Sequence, residues 1–166
     1  PCAAIVGRDS IMDAANESFI SSSYWTDGVG PAAALACIPK MKACGVRERI
    51  WQLGAVIQGG LRELAARHPA LTIQIGGQAC SPSIAFGLGP DSAAAKALMI
   101  RGMLNRGYLF SSQAYALWPH TEAMVADALS ALDDVLSGLD TLHGRGALRA
   151  TAGPDRKSTC LNSSHT

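Results

Sequence analysis

Apolar residues recur three or four positions apart along two long stretches of the chain, the spacing of an amphipathic helix. The first stretch runs from Pro31 to about Arg67, and Gly45 is the point where we expect it to break or bend. His68-Pro69 ends it, because the residue before a proline avoids the helical region. The second begins at Thr121, which we expect to act as the N-cap of a last helix. Its apolar stripe consists of Val125, Ala128, Leu132, Val135 and Leu139.

Shorter patterns predict strands and one further helix. Three segments alternate or are continuously apolar over strand-like lengths, and a fourth reads as a buried strand at the N-terminus. A helix through Arg106 is expected after Pro90-Asp91-Ser92, with Gly107 ending it. The order β-β-α-β-α after Pro69 predicts an α/β chain with a domain boundary there. The predicted strands are Cys2–Gly7, Leu71–Ile75, Ser83–Leu88 and Tyr108–Phe110, with a loop at Gly76–Pro82.

Composition limits the classes of function. The chain has 166 residues, of which 48% are hydrophobic and 16% charged, with a net charge of +1. This is a globular composition without a basic cluster, so we expect no nucleic-acid partner. No apolar run approaches the roughly 20 residues that span a bilayer, and Arg8, Asp9 and Asp13 interrupt any signal peptide, so no membrane association is expected.

The cysteines and histidines show no disulfide or metal pattern. Cys37 and Cys44 lie on one helical face, but seven residues of helix separate their Cα atoms by ~10 Å, which is too far for a disulfide. We therefore expect small buried thiols in a reducing cytoplasm. The four histidines lack the spacing of a metal site.

Hydroxyl groups are concentrated just before the first long helix. Ser21, Ser22, Ser23, Tyr24 and Thr26 precede a glycine-containing turn, and Pro31 suits the first position of a helix. Hydroxyls and free amides ahead of a helix N-terminus form a plausible anion site, although a polar surface loop with an ordinary cap explains the same composition.

The spacing of residues in this region also matches the dinucleotide-binding fingerprint. Gly28-x-Gly30-x-x-Ala33 is followed by Glu48 about 20 residues later. However, serines instead of a buried strand precede it, and Glu48 lies inside a helical pattern. We therefore do not expect a dinucleotide site.

The order of residues adds a resemblance to a known family. The sequence "SSSYWTDGVGPAAALACIPKMK" resembles the class-III pyridoxal-phosphate-dependent aminotransferases, closest to the branch of glutamate-semialdehyde aminomutase. "PCAAIVGRDSIMD" is similar to the strand and helix after that family's cofactor-binding lysine. "MLNRGYLFSSQAYALWPHTEAMVADALSALDDVL" is similar to its C-terminal helices. The resemblance covers about residues 1–140.

This resemblance implies a domain organisation. The expected architecture is α/β: the end of the large domain of a fold type I pyridoxal-phosphate transferase, followed by the C-terminal small α+β domain. Residues 1–68 would close the large domain and include the interdomain helix, residues 69–143 would form the small domain, and residues 144–166 would be a tail. Residues 155–166 are similar to one translated frame of a common sequencing adapter, so we expect them to be an artefact.

The resemblance also implies the site residues. Ser22 and Ser23 match the family's hydroxyl motif, which donates to the phosphate of the pyridoxal phosphate held by the other subunit of a homodimer. Asp27-Gly28-Val29 departs from the family pattern there. The Schiff-base lysine would lie upstream of Pro1, so no catalytic residue is expected within this chain, and the chain alone is expected to be inactive.

Three functions remain open at this stage. The parent protein is expected to be a cytoplasmic aminotransferase or aminomutase acting on a small amino compound. An intermolecular transaminase of an amino sugar or ω-amino acid is the alternative within the enzyme class, and a non-catalytic α/β interaction module is the alternative outside it. His120 and Thr121 are expected to start a helix rather than to catalyse. For Tyr115 and Trp118 we expect packing in the core or an interface rather than a place at a substrate entrance.

Overall fold

The computed structural model describes residues 5–18 and 26–153. The chain divides into two compact units, residues 1–47 and residues 48–166. The sequence-based division of residues 1–68 from residues 69–143 concerns the domains of a longer protein, and it stays a prediction. In this chain, the helix that ends at Arg67 lies almost entirely in the same compact unit as the residues after Pro69.

The described part of the first unit contains two helices. Helix α1 spans Asp9–Asn16 and helix α2 spans Val29–Ala43. None of the residues of α2 is buried, and its apolar side chains Leu35 and Ile38 are exposed. The strand expected at Cys2–Gly7 is not formed at residues 5–7, and its first residues lie outside the described part.

Gly45 separates two helices, as the sequence predicted. Its φ of 62° lies in the left-handed region, which glycine adopts without a steric cost. Helix α3 then spans Val46–Arg67. His68 follows with φ −118° and ψ 60°, outside the helical region, in agreement with the restriction that Pro69 imposes.

The second unit is built on one apolar core. Helix α3 buries Leu53, Gly54, Ile57, Leu61 and Leu64. Helix α5, Glu122–Gly144, buries Val125, Leu132, Val135, Leu136 and Leu139. Helix α4, Ser92–Asn105, contributes Ala94, Ala95, Leu98, Met99 and Met103. The predicted stripe of α5 is therefore confirmed except at Ala128, which is only half-buried.

Strands β1 (Ile73–Gln78) and β2 (Ser81–Phe86) form an antiparallel hairpin against this core. The expected loop at Gly76–Pro82 is wrong, because Gly76 pairs with Ser83 and Gly77 with Pro82. A Cβ on Gly77 would lie 2.5 Å from the carbonyl oxygen of Ser81, so the absence of a side chain permits this close pairing.

The third strand was predicted at the wrong place. Tyr108–Phe110 is not a strand; instead the segment from Ser112 to Ala116 runs along the other edge of β2. The amide of Ile84 donates to Ser112, and the amide of Ala114 donates to Pro82. Pro82 has no amide hydrogen to return to this segment, so the pairing is reduced to an isolated bridge between Ser83 and Gln113.

The folded unit continues past the point where the tail was expected. Helix α6 spans Leu148–Ala152, and Leu148 is 1% exposed within the core. The tail predicted from residue 144 is therefore wrong up to Ala152, because an apolar side chain anchors this turn of helix. Residues 154–166, which contain the adapter-like segment, lie outside the described part.

Two further predictions concern thiols and membranes. Cys37 and Cys44 are free but exposed, and Cys80 is half-buried, so the expectation of buried thiols is wrong for these three residues. Among the described helices, none is long and apolar enough to cross a membrane.

Candidate functional site

The predicted phosphate donors Ser22 and Ser23 lie outside the described residues, which resume at Thr26. The structure does describe the start of α2 that follows them. Asp27 accepts a hydrogen bond of 2.9 Å at Oδ1 from the amide of Val29. The carboxylate of Asp27 therefore occupies a donor that an incoming anion would otherwise use.

The first turn of α2 offers fewer amides than the sequence predicted. The helix begins at Val29, so Pro31 is its third residue rather than its first. Pro31 has no amide hydrogen, and the amide of Ala32 already donates to Gly28 over 3.0 Å. Among the amides of this first turn, the amide of Gly30 is then the one without an acceptor in the described part of the chain.

The lysines of the described chain are all exposed. Lys40 and Lys42 lie in the last turn of α2, and Lys96 lies on α4. A lysine that forms an imine is activated by desolvation or by a neighbouring cation. None of these three residues is in such a surrounding.

His120 and Thr121 begin helix α5, as predicted. Thr121 accepts a 3.2 Å hydrogen bond at Oγ1 from the amide of Met124, the expected N-cap contact. The guanidinium of Arg49 on α3 lies 3.5 Å from the carbonyl oxygen of His120 and 3.5 Å from Oε1 of Glu122. The contacts of Arg49 join the start of α5 to α3. His120 and Thr121 therefore have a structural role at the start of this helix.

Tyr115 and Trp118 lie on the surface of the second unit. The phenol of Tyr115 donates to Oε1 of Gln113 over 2.9 Å. The side-chain nitrogen Nε2 of Gln113 donates to Oγ of Ser81, also over 2.9 Å. Trp118 remains about half exposed. Neither aromatic ring is in the core of this chain, so packing in an interface with other protein stays a prediction.

A cluster of charged side chains surrounds the buried His68 at the end of α3, and sequence reasoning missed it. His68 is 6% exposed, and its Nε2 lies 2.8 Å from Oδ1 of Asp133. Its Nδ1 forms a short hydrogen bond with Oδ2 of Asp140. Arg67 pairs with the other oxygen of Asp133 over 2.6 Å.

The two carboxylates determine the charge of His68. Burial lowers the pKa of the imidazole, but the hydrogen bonds and charges of Asp140 and Asp133 outweigh burial and leave the pKa raised above 6.5. Both ring nitrogens face carboxylate oxygens, so the protonated ring can donate to both carboxylates at once. With His68 protonated, the cluster contains two cations and two anions, and it joins α3 to α5.

The sequence carried one usable indication of this cluster. Asp133 and Asp140 are seven residues apart, which places them on the same face of α5 beside its apolar stripe. Two carboxylates at the edge of a buried face require a partner, and His68 is one of the four histidines. Within the described ranges, no group of three or more histidine, cysteine and acidic side chains is arranged to hold a metal ion.

Comparisons with known proteins point to one class of enzyme. No family model matches the chain. Over 145 residues it is 30% identical to the aminopentol aminotransferase of Sphingopyxis macrogoltabida, a match that covers 84% of the chain and 33% of that protein. Its fold matches the pyridoxal-phosphate internal aldimine form of the FumI protein of Sphingopyxis sp. MTA144 with a TM-score of 0.66 and 25% identity. That match covers 84% of this chain and 34% of the FumI chain.

The chain thus spans about a third of the length of the relatives that it matches. The likeness confirms the predicted resemblance to pyridoxal-phosphate-dependent aminotransferases and the mixed α/β fold.

Proposed function

We propose that this chain is one part of a pyridoxal-phosphate-dependent aminotransferase that moves an amino group from a small amine donor to an acceptor. The observation that carries the proposal is the agreement of sequence and fold. Both comparisons cover 84% of the chain, and one matches an aminotransferase while the other matches a protein that holds pyridoxal phosphate. A non-catalytic interaction module does not account for this agreement.

The finer classification rests on the sequence motifs. We assign the parent protein to class III and to fold type I, on the hydroxyl motif at Ser21–Ser23 and the C-terminal helix motifs. Transfer between two molecules is favoured over an aminomutase reaction, because the relative that matches the chain is an aminotransferase. The donor is a small amino compound such as an amino acid or amino sugar.

The cofactor requires a reactive lysine, which we place outside this chain. When bound, pyridoxal phosphate supplies an aldehyde that exchanges amino groups and a ring that accepts electrons. It is held by a lysine, and the described lysines are exposed on α2 and α4. We place the reactive lysine in the part of the parent protein that precedes Pro1.

The contribution of this chain is made through Ser22 and Ser23. In a homodimer their hydroxyls would donate to the phosphate of the cofactor held by the partner subunit. Charge-assisted hydrogen bonds of this kind orient a phosphate dianion. The assignment rests on the resemblance of the hydroxyl motif at Ser21–Ser23 to that of the family. We place the dimer in the cytoplasm, where unpaired thiols such as Cys37 and Cys44 persist.

Locating the reactive lysine tests this proposal. The parent protein, with its preceding part restored, would be incubated with pyridoxal phosphate, reduced with borohydride and digested for mass spectrometry. We expect the modification at one lysine a few residues before Pro1. Specific modification of Lys96 instead, or saturable cofactor binding without any modified lysine, would contradict the proposal.

A further inference from the structure

A pocket of about 390 Å³ lies between β2 and the first turns of α4 in the second unit. This volume is within the range of roughly 300–1,000 Å³ typical of small-molecule sites. Ile84, Phe86 and Ser112 line it on the side of the sheet, and Ser92 and Lys96 line it on the side of the helix.

One wall of the pocket is the end of the outer edge of β2, beyond its hydrogen bonds to the segment from Ser112 to Ala116. The amide of Ile84 donates to Ser112 over 2.9 Å, and so it faces away from β1. Alternate residues of a strand face the same edge, so the amide of Phe86 and the carbonyl of Ile84 face the pocket side as well. Neither group has a hydrogen-bond partner within the described part of the chain.

The described part of the chain does not fill this edge. Continued pairing would bring the residues before Ser112 alongside Phe86, but the chain turns away at Ser111. The hydroxyl of Ser111 accepts from the amide of Gln113 over 3.1 Å and donates to the carbonyl oxygen of the same residue over 3.0 Å. Leu109 is consequently 98% exposed instead of lying against β2.

The pocket carries a net positive charge. Lys96 is its charged lining residue and forms no ion pair with any described side chain. The nearby carboxylate of Asp91 is neutralised by Arg149, whose Nε lies 2.7 Å from it. The hydroxyl of Ser92 accepts from the amide of Leu88 over 3.0 Å, which leaves its own hydrogen free to donate.

We propose that this pocket binds an N-acylated amino acid, that is, a small carboxylate with an amide N–H on the adjacent carbon. The carbonyl of Ile84 and the amide of Phe86 are spaced to bond with one residue of a ligand that lies parallel to β2. Its amide would donate to the carbonyl of Ile84, and its carboxylate would accept from the amide of Phe86. Lys96 would neutralise the carboxylate. The site is independent of the aminotransferase proposal, since it uses neither pyridoxal phosphate nor Ser22 and Ser23.

Titration of the isotope-labelled chain with N-acetylglycine, followed by amide NMR, tests the site. We expect saturable millimolar binding with the largest shift at the amide of Phe86. N-acetylglycinamide, which keeps the amide but lacks the carboxylate, should bind much more weakly. Lys96→Met should weaken binding about three- to fivefold, the effect of losing an exposed ion pair. Lys42→Met removes an exposed lysine from α2 and should leave the affinity unchanged.

Each contrary result identifies what fails. If the amide of Phe86 does not shift saturably, the edge is not a binding site. If N-acetylglycinamide binds as tightly as N-acetylglycine, the pocket accepts extended peptide groups rather than carboxylates, and the proposal is wrong. Equal weakening by Lys96→Met and Lys42→Met would show a general charge effect and would also overturn it.

Discussion

The imidazole of His68 and the carboxylate of Asp133 are joined by a 2.8 Å hydrogen bond between residues 65 positions apart in the chain. Together with Asp140, which binds the other ring nitrogen, this contact fixes the end of α3 against α5. The imidazolium is favoured because both ring nitrogens face carboxylates. Its position one residue beyond the C-terminus of α3 also favours positive charge.

Stability should therefore decrease as the pH rises through the pKa of His68. The folded-state pKa is raised above its unfolded value of 6.5, so the contribution is fully present below about pH 6.5. It is lost as the pH passes the raised value, because the folded state then releases the proton. Urea unfolding between pH 5.5 and 9 measures this loss as a decreasing free energy of unfolding.

The free energy of unfolding of the native chain should be compared with that of the His68→Gln variant at each pH. The substitution should lower stability by about 1–3 kcal/mol at pH 6, since it leaves Asp140 without its charged donor and Asp133 with Arg67 as its remaining one. The difference between the native chain and the variant should shrink as the pH rises through the raised pKa of His68. A constant difference across the pH range would mean that His68 does not titrate.

Two glycines of α3 should respond oppositely to alanine. A Cβ at Gly54 would lie 2.2 Å from the carbonyl oxygen of Ala79 and 2.8 Å from Cα of Cys80. These are backbone atoms of the hairpin turn, which cannot yield without moving β1 and β2. We expect Gly54→Ala to destabilise the unit by about 1–3 kcal/mol or more, as overpacking does.

Gly59 is the matched control within the same helix. A Cβ there meets no atom within 4 Å, so Gly59→Ala should stabilise the unit by up to about 1 kcal/mol through helix propensity. Thermal unfolding of the two variants measures both effects. A small effect of Gly54→Ala would show that the contact between α3 and the hairpin turn is looser than described.

The helices were predicted from local sequence patterns, because the features that start, align and end a helix are local. The apolar spacing on α5, the cap at Thr121 and the break at Gly45 each depend on residues within one or two turns. The third strand was misplaced because its position depends on distant groups. Pro82 removes a donor on β2, and Ser111 turns the chain by binding Gln113.

Candidate site residues were proposed from the sequence only where a motif indicated them, and Ser22 and Ser23 stay a prediction. Ser22 and Ser23 came from residue order, because hydroxyl composition alone is equally typical of a surface loop. The cluster at His68 was missed because its partners lie more than 60 residues away in sequence. The exposure of Cys37 and Cys44 was also missed, since apolar spacing alone does not show what covers α2.

Ser23→Ala in the longer parent protein should weaken pyridoxal phosphate binding. The expected loss is about 1.5–3 kcal/mol, the usual value for a hydrogen bond to a charged group. Ser23→Thr keeps the hydroxyl and should bind at least as well as the native protein. Equilibrium titration of the cofactor gives both affinities, and equal binding by the alanine variant would exclude a phosphate contact.

Mixed dimers show whose cofactor Ser23 contacts. One subunit would carry Ser23→Ala with its reactive lysine intact, and its partner would carry native Ser23 with that lysine changed to alanine. If Ser23 acts across the interface, the one site with a lysine is served by a native hydroxyl and binds normally. A loss as large as in the Ser23→Ala homodimer would show that the contact is made within one subunit.

Amino transfer by the parent protein is the most direct test of the account. Purified parent protein with pyridoxal phosphate would be mixed with a panel of small amines and a 2-oxo acid, and the amino acid formed would be quantified. We predict steady amino transfer by the parent protein and none by the 166-residue chain under the same conditions. A parent protein that binds pyridoxal phosphate but transfers no amino group with any donor, or transfer by the 166-residue chain alone, would contradict the account.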